Sequence, residues 1–423
     1  GGVLISHHTY QHVRGNFDVE ALAPIEAKGF PDRVPVYLVK NFRSRTFREM
    51  SRGVEGLETR MVGRDGQLAQ LQDAYQAAVA RERSTVVTIS GEAGVGKSRL
   101  LFEFEKWLAQ RPQKAVIFRG RASPQTQGSA QYLWRVLLAN HFQILDSDPL
   151  KILQQKFSGG TAELLGDEGE MKATLLGSWL GYDFSQSPYL AAVSGEAEQL
   201  RRRAFLYFTQ YLSAIAANQP TVIVLEDIHW ADKGSLEVVS ELAAKLPQLR
   251  LLILCLARPS LYRRQSNWGN NLANHNHLQL TPLSSGDTAA LVKEILRHID
   301  PLPPALLELV SSRAEGNPFY AEELIKMMID AGSIDTSDDK WQFLPEKLHA
   351  HDVPPTLTGV LQARIDHLLP AEKEALQQAS VFGRIFWDRT LEELPHEGQR
   401  FLPSLEAREF IFALANSAFA ESI

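Results

Sequence analysis

Cysteine is almost missing from these 423 residues: Cys255 stands alone, so an internal disulfide is excluded. That usage fits a reducing compartment, and a cytoplasmic location is the expectation. Cys255 lies in the apolar run Leu251-Leu252-Ile253-Leu254-Cys255-Leu256, where a packed strand residue is expected rather than a nucleophile. Long apolar runs are missing too. None approaches the roughly 18 residues of a membrane span, so no membrane partner is expected. There is no basic excess either, since 44 Lys and Arg face 50 Asp and Glu for a net charge of −6. That argues against a nucleic-acid partner held mainly by charge and leaves only a local basic patch for one. The first residues, Gly1-Gly2-Val3-Leu4-Ile5-Ser6, carry neither a start methionine nor a basic n-region. With the end at Ala420-Glu421-Ser422-Ile423, they read as a fragment of a longer protein. What is present is an ordinary globular composition, 44% hydrophobic and 22% charged, with length for about two to four domains.

The strongest local signal is Gly91-Glu92-Ala93-Gly94-Val95-Gly96-Lys97-Ser98, which reads G-x-x-x-x-G-K-[ST]. A β-branched run, Thr85-Val86-Val87-Thr88-Ile89-Ser90, precedes it and predicts a buried strand. Arg99 to Leu108 follows with one apolar face and predicts a helix. Strand, glycine loop and helix together make a phosphate site out of a pattern match. Gly91, Gly94 and Gly96 let backbone N–H groups turn inward, and the helix N-terminus adds about half a positive charge. Lys97 is expected to reach the β- and γ-phosphates of ATP, and the Ser98 hydroxyl to ligate Mg²⁺. Val95 and Arg99 complete the expected nucleotide-binding set.

Thr221-Val222-Ile223-Val224-Leu225, then Glu226-Asp227, is the second signal: a buried strand ending in two acids. Paired carboxylates there are costly to bury without a cation, and Mg²⁺ supplies one. One acid is expected to hold the metal and the other to orient or deprotonate the attacking water. The strand at Leu251–Leu256 runs into Ala257-Arg258-Pro259, which places Arg258 at a carboxyl end, where open parallel sheets bind ligands. It reads as a γ-phosphate sensor or as a surface arginine before a proline turn. Arg201, Arg202 and Arg203 read as a solvated helix face, with a phosphate-sensing arginine as the other possibility. The Asn-rich stretch from Arg263 to His277 reads as a mobile, exposed loop. Its His275 and His277 have no acidic or cysteine cluster at metal spacing. Leu278 to Leu283 is expected to close the sheet.

Along the rest of the chain, Val3–Ile5, Phe17–Leu22 and Val34–Val39 read as strands and His8–Val13 as a short helix. Residues 41–58, rich in arginine and without periodicity, read as a linker. Leu68, Leu71, Tyr75 and Val79 share one helical face after Met61-Val62-Gly63-Arg64-Asp65. Ala115–Phe118 reads as a strand and residues 123–218 as amphipathic helices. Within that stretch, Ser158-Gly159-Gly160 and Gly166-Asp167-Glu168-Gly169 read as loops. Ser285 is expected to cap a helix beginning near Asp287. Beyond it the chain reads as mainly helical, with segments at 289–298, 305–314, 359–369, 372–381 and 405–412.

Two resemblances attach to these residues. Val3-Leu4-Ile5-Ser6, Thr9, Val13-Arg14-Gly15, Leu22-Ala23-Pro24, Ala27-Lys28-Gly29 and Val34 to Val39 resemble the C-terminal tail of a class III nucleotidyl cyclase domain. That family's metal-binding aspartates would lie upstream, so the resemblance implies a fragment that does not itself cyclise ATP. The entry segment at Met61, the glycine loop, Leu225-Glu226-Asp227-Ile228-His229-Trp230-Ala231-Asp232 and Gly316-Asn317-Pro318-Phe319-Tyr320-Ala321-Glu322-Glu323-Leu324 are similar to the STAND group of AAA-like, origin-recognition-complex-like P-loop ATPases. The resemblance implies an α/β fold: a parallel five-stranded sheet flanked by helices, then a helical lid and a winged-helix-like part. It divides the chain into a cyclase tail (1–40), a linker (41–58), an NTPase core (59–284), a lid (285–350) and a winged-helix-like domain (351–423).

By the same resemblance, Val62, Gly63 and Arg64 neighbour the base or ribose, and Pro318 contacts the base. Glu226 becomes the Mg²⁺ acid, Asp227 the water-activating acid and Arg258 the sensor. His229 and Trp230 either link phosphate state to the following loop or simply pack it. The basic residues of 351–423 are matched by acids, so packing on the core is expected there and not direct nucleic-acid binding. The implied function is an ATP/ADP switch that hydrolyses slowly and regulates an attached cyclase, with helical repeats downstream and oligomerisation on activation. The alternatives are a STAND-type transcriptional regulator and a nucleotide-binding scaffold without hydrolysis.

Overall fold

The computed structural model describes residues 3–6, 17–25, 34–42, 54, 58–145, 148–191, 197–270, 272, 274–336, 338, 340–348, 354–382, 398–407 and 410–411. The described chain forms two compact units, Gly63–Pro282 and Gly1–Val62 with Leu283–Ile423.

At the N-terminus, β1 (Val3–Ser6), β2 (Phe17–Ile25) and β3 (Val34–Phe42) form an antiparallel sheet in the order β1-β3-β2. The three runs read as strands are strands, and β3 extends into the stretch read as linker. The helix expected at His8–Val13 lies outside the described residues. Val54, also in the expected linker, is 1% exposed and packs with Leu283, Leu291 and Leu324.

In Gly63–Pro282, α1 (Asp65–Ala80) leads to β4 (Thr85–Ser90), the glycine loop and α2 (Lys97–Ala109). Then come β5 (Val116–Arg121), β6 (Thr221–Glu226), β7 (Leu251–Ala257) and β8 (His275–Gln279). All five strands are parallel, in the order β5-β6-β7-β4-β8. Every residue of β4 and β7 is buried, as expected for central parallel strands covered on both faces. Cys255 is fully buried in β7, and burial pushes its thiol up, so it is a packed strand residue. Because all strands run one way, Ser90, Arg121, Glu226, Ala257 and Gln279 end on a single edge. That edge brings together the strand ends from which the candidate site is built.

The two edge strands depart from the sequence reading. β5 runs on past Phe118 to Arg121, and β8 begins at His275 where an exposed loop was expected. Thr88 Oγ1 and His275 Nε2 lie 2.8 Å apart, and Ser90 Oγ and His277 Nε2 2.7 Å. The histidines are therefore tied to β4 by hydroxyl partners. Trp268, also in the supposed mobile loop, is 9% exposed and donates Nε1–H to Thr88 Oγ1 at 3.0 Å.

Between β5 and β6 lie α3 (Tyr132–His141), α4 (Leu150–Leu165), α5 (Gly169–Trp179) and α6 (Ala197–Asn218). Their shared core holds Trp134, Phe157, Phe208 and Tyr211, none more than 1% exposed. Ser158-Gly159-Gly160, read as a loop, is inside α4. A Cβ on Gly160 would sit 2.3 Å from the Phe142 ring, so glycine is there for close packing and not for a turn. Past β6, α7 (Lys233–Lys245) is capped by Asp232, whose Oδ1 accepts the Ser235 N–H at 2.9 Å.

The second unit contains α8 (Ser285–Ile295), α9 (Pro304–Ala314), α10 (Pro318–Asp330), a two-stranded antiparallel ladder of Ile334–Asp335 with Gln342–Phe343, α11 (Leu357–Asp366) and α12 (Pro370–Phe382). The cap of α8 is Ser284, one residue before the expected Ser285; its Oγ accepts the Asp287 N–H at 3.1 Å. A short helix covers Leu402–Ala407, earlier than the expected 405–412. Arg364 of α11 is 3% exposed and joins two acids of α10. Its Nη1 donates to Glu323 Oε2 at 2.5 Å and its Nε to Asp330 Oδ2 at 2.9 Å, while Lys326 Nζ lies 3.2 Å from Glu323 Oε1. Removing one partner of a buried pair strands the other charge. Arg364→Ala is therefore expected to destabilise this unit by about 3 kcal/mol, the low end because Lys326 still faces Glu323. A denaturant titration checks it.

Candidate functional site

The glycine loop joins β4 to α2 through backbone that only glycine adopts cheaply. Gly94 has φ +79° and Gly96 +101°. At Gly91 the constraint is space: a Cβ would meet the Leu280 carbonyl and Val95 Cγ1 at 2.8 Å. Val95 is 3% exposed and pins the loop, while Ser98, on the first turn of α2, is exposed. Lys97 Nζ donates to the carbonyls of Gly91 and Glu92 at 2.6 and 2.7 Å, curling back over the loop. Its pKa is lowered to about 8, first by burial, then by Arg258, against the opposing pull of Asp227 and Glu92. Arg258, after β7, and Asp227, after β6, therefore both act on Lys97. Arg99 is turned to Glu103, with Nε 2.9 Å from Oε1.

Asp227 follows β6 with φ +53°, a left-handed conformation uncommon outside glycine that aspartate tolerates. Arg121, the last residue of β5, donates Nη2–H to Asp227 Oδ2 at 2.5 Å. Arg121 is paired in register with Glu226, which is half-buried at the end of β6. Arg258 follows β7 as an exposed residue, and its backbone N–H donates to His229 Nδ1 at 3.4 Å. Arg264 donates Nη1–H to the His229 carbonyl and Nη2–H to that of Ala231, the latter at 3.4 Å. His229 is 2% exposed. Burial chiefly lowers its pKa to about 4; Asp227 raises it, while Arg258, Lys97 and Arg264 lower it further.

Four sequence-derived candidates are placed differently from the rest. Arg64 is 5% exposed, and its Nη2 donates to the carbonyls of Val95, at 3.2 Å, and Thr281. It braces the glycine loop from behind. Gly63 sits just before it with φ +68°. Val62 belongs to the other compact unit, packed against that unit's core. Pro318 also belongs to that unit, as the first residue of α10 after Asn317, whose Oδ1 accepts the Tyr320 N–H at 3.3 Å. Arg201 pairs with Glu237 and Glu241, and Arg202 with Glu198, as a solvated helix face would. Sequence reading misses Arg121 and Arg264. Arg121 had a signal, being a basic residue three positions past a short apolar strand; Arg264 had none.

The donor set fits Mg²⁺ with a nucleotide. It offers a hydroxyl (Ser98), two carboxylates (Glu226, Asp227) and one ammonium (Lys97) at a single edge, and space around Gly96, where a Cβ would meet nothing within 4 Å. Among the described residues no group of three or more His, Cys, Asp or Glu could hold a metal ion. Mg²⁺ takes one or two protein oxygens and completes its shell with phosphate and water. Among the described residues no helix is long and apolar enough to cross a membrane.

Residues 60–254 match the family described as AAA ATPase domain. An uncharacterized protein of Rhizobium meliloti (strain 1021) is 23% identical over 333 residues, covering 76% of this chain. The chain spans 30% of the length of that relative. Among solved structures, Cdc6p of Pyrobaculum aerophilum is similar with a TM-score of 0.43 and 12% identity, covering 83% of this chain and 81% of its own. The Aeropyrum pernix Orc1 protein in complex with DNA gives 0.41 and 11%, covering 83% and 85%. The Thermotoga maritima RuvB Holliday junction branch migration motor gives 0.33 and 15%, covering 78% and 81%.

Proposed function

We propose, with the AAA ATPase match over residues 60–254 as the premise, that this chain binds ATP with Mg²⁺ and hydrolyses it slowly as a conformational switch. The observation that carries the reading is the meeting of Lys97, Asp227 and Arg258 at the carboxyl edge of a parallel sheet, under a glycine loop. The loop's N–H groups and the N-terminus of α2 cradle the phosphates, and Lys97 holds the β- and γ-oxygens. Ser98 and Glu226 would hold Mg²⁺, which when bound neutralises charge on the β- and γ-oxygens. Arg121 fixes one oxygen of Asp227, Oδ2, and so orients the other to take a proton from the attacking water. Arg258 reads the γ-phosphate. Gly63 and Arg64 are assigned to the base or ribose side.

The switch part of the proposal needs unequal affinity of two conformations for ATP and ADP. Its output is assigned to an attached class III cyclase domain; what supports that is the residue pattern of 1–40 alone. Downstream helical repeats and oligomerisation on activation belong to the same reading. Calorimetric titration with ATP and ADP in Mg²⁺ tests the binding claim. Saturable binding of both, with different affinities, is expected; no saturable binding of either overturns it. Reading the coding sequence on either side of this stretch tests the cyclase attachment, and a neighbouring domain without the paired metal-binding aspartates overturns it.

A further inference from the structure

His229 has a hydrogen-bonding capacity that the fold leaves unspent. Its Nδ1 accepts the Arg258 N–H, so the ring proton sits on Nε2. That nitrogen is buried and has no hydrogen-bond partner among the described residues. A buried donor left unmade costs about 1–3 kcal/mol, and native structures rarely leave one without reason. The ring stands among the groups already placed around the phosphates, and Asp227, Arg258, Lys97 and Arg264 are the charges that act on it. It also links three pieces of the site edge: its own loop after β6, the end of β7 through the Arg258 N–H, and the short helix Ser260–Arg264 through its carbonyl. Plain packing explains the burial of this ring, but it does not explain a buried ring N–H without an acceptor.

We propose that His229 is a positioning residue specific for a nucleoside triphosphate: its Nε2–H is met by a terminal-phosphate oxygen, and the residue thereby fixes the backbone of Arg258 through its ring and the side chain of Arg264 through its carbonyl. The proposal rests on the ATPase reading above and adds to it the group that tells ATP from ADP. Nothing covalent happens at the ring; one hydrogen bond forms with the triphosphate and none with the diphosphate.

The test compares ATP and ADP affinities of this full chain and its variants in Mg²⁺. His229→Phe keeps a ring of similar size and loses both nitrogens. It is expected to lose about tenfold or more in ATP affinity, the worth of one hydrogen bond to a charged group, with ADP affinity within about twofold. His229→Gln restores an N–H donor and is expected to return the ATP-to-ADP ratio to within about threefold of the parent. Equal losses for ATP and ADP, or a Gln variant no better than Phe, overturn the proposal and leave His229 as packing. If melting curves show that His229→Phe does not fold, His229→Leu takes its place with the same two expectations. A parent chain that binds neither nucleotide would sink the ATPase reading itself; a parent that binds both, with a ratio unmoved by His229→Phe, would sink this inference alone.

Discussion

Asp227→Asn is expected to bind ATP within about threefold of the parent and to lose turnover by about 10²–10⁴-fold, the usual worth of a positioned proton acceptor. The split follows from geometry. Asparagine keeps the size of the side chain and an oxygen for Arg121, and asparagine also tolerates the left-handed backbone at this position (φ +53°). The loop should therefore hold its shape. What disappears is the second carboxylate oxygen, the one that Arg121 does not occupy. Steady-state phosphate release beside a binding titration reads both quantities. Turnover equal to the parent would remove Asp227 from the chemistry, whatever its place in the site.

Lys97→Ala is expected to lower ATP affinity by about 10³-fold. The ammonium would serve both the β- and γ-phosphates, and each hydrogen bond to a charged group is worth about 1.5–3 kcal/mol. Its pH dependence carries a sign that can be worked out. Lys97 stands at about 8, below its ordinary value, because of burial and then Arg258. A polyphosphate beside it raises that value, so above about pH 8 binding must take up a proton. ATP affinity of the parent is therefore full below about pH 7 and falls by up to tenfold per unit as pH climbs past 8. The alanine variant should be flat over that range. A parent with flat affinity from pH 7 to about 9.5 would contradict the assignment.

How much of this was legible depended on where a strand sits in the sheet. The central strands β4, β6 and β7 are buried on both faces and read as unbroken apolar runs, so their ends, and with them Lys97, Glu226, Asp227 and Arg258, could be found from sequence. The edge strands β5 and β8 have one wet side and alternate, so their polar residues looked like loop. That is why Arg121 was missed and why His275 and His277 were read as loop and not as strand. The capping serine of α8 was misread by a single residue, within the ordinary slack of helix ends. Gly159-Gly160 misled for another reason, since glycine marks close packing as readily as a turn. Arg264 could not be found at all, because it meets the backbone carbonyls of His229 and Ala231, which no side-chain pattern records.

The edge built from the glycine loop, β6 and β7 is proposed to turn over ATP with Mg²⁺. Phosphate release by this chain, followed past one equivalent of ATP with and without Mg²⁺, tests it most directly. Slow release beyond one equivalent, dependent on Mg²⁺ and lost in Lys97→Ala, is the expected result. Release that is indifferent to Mg²⁺ or to Lys97, or that never passes one equivalent, would contradict it.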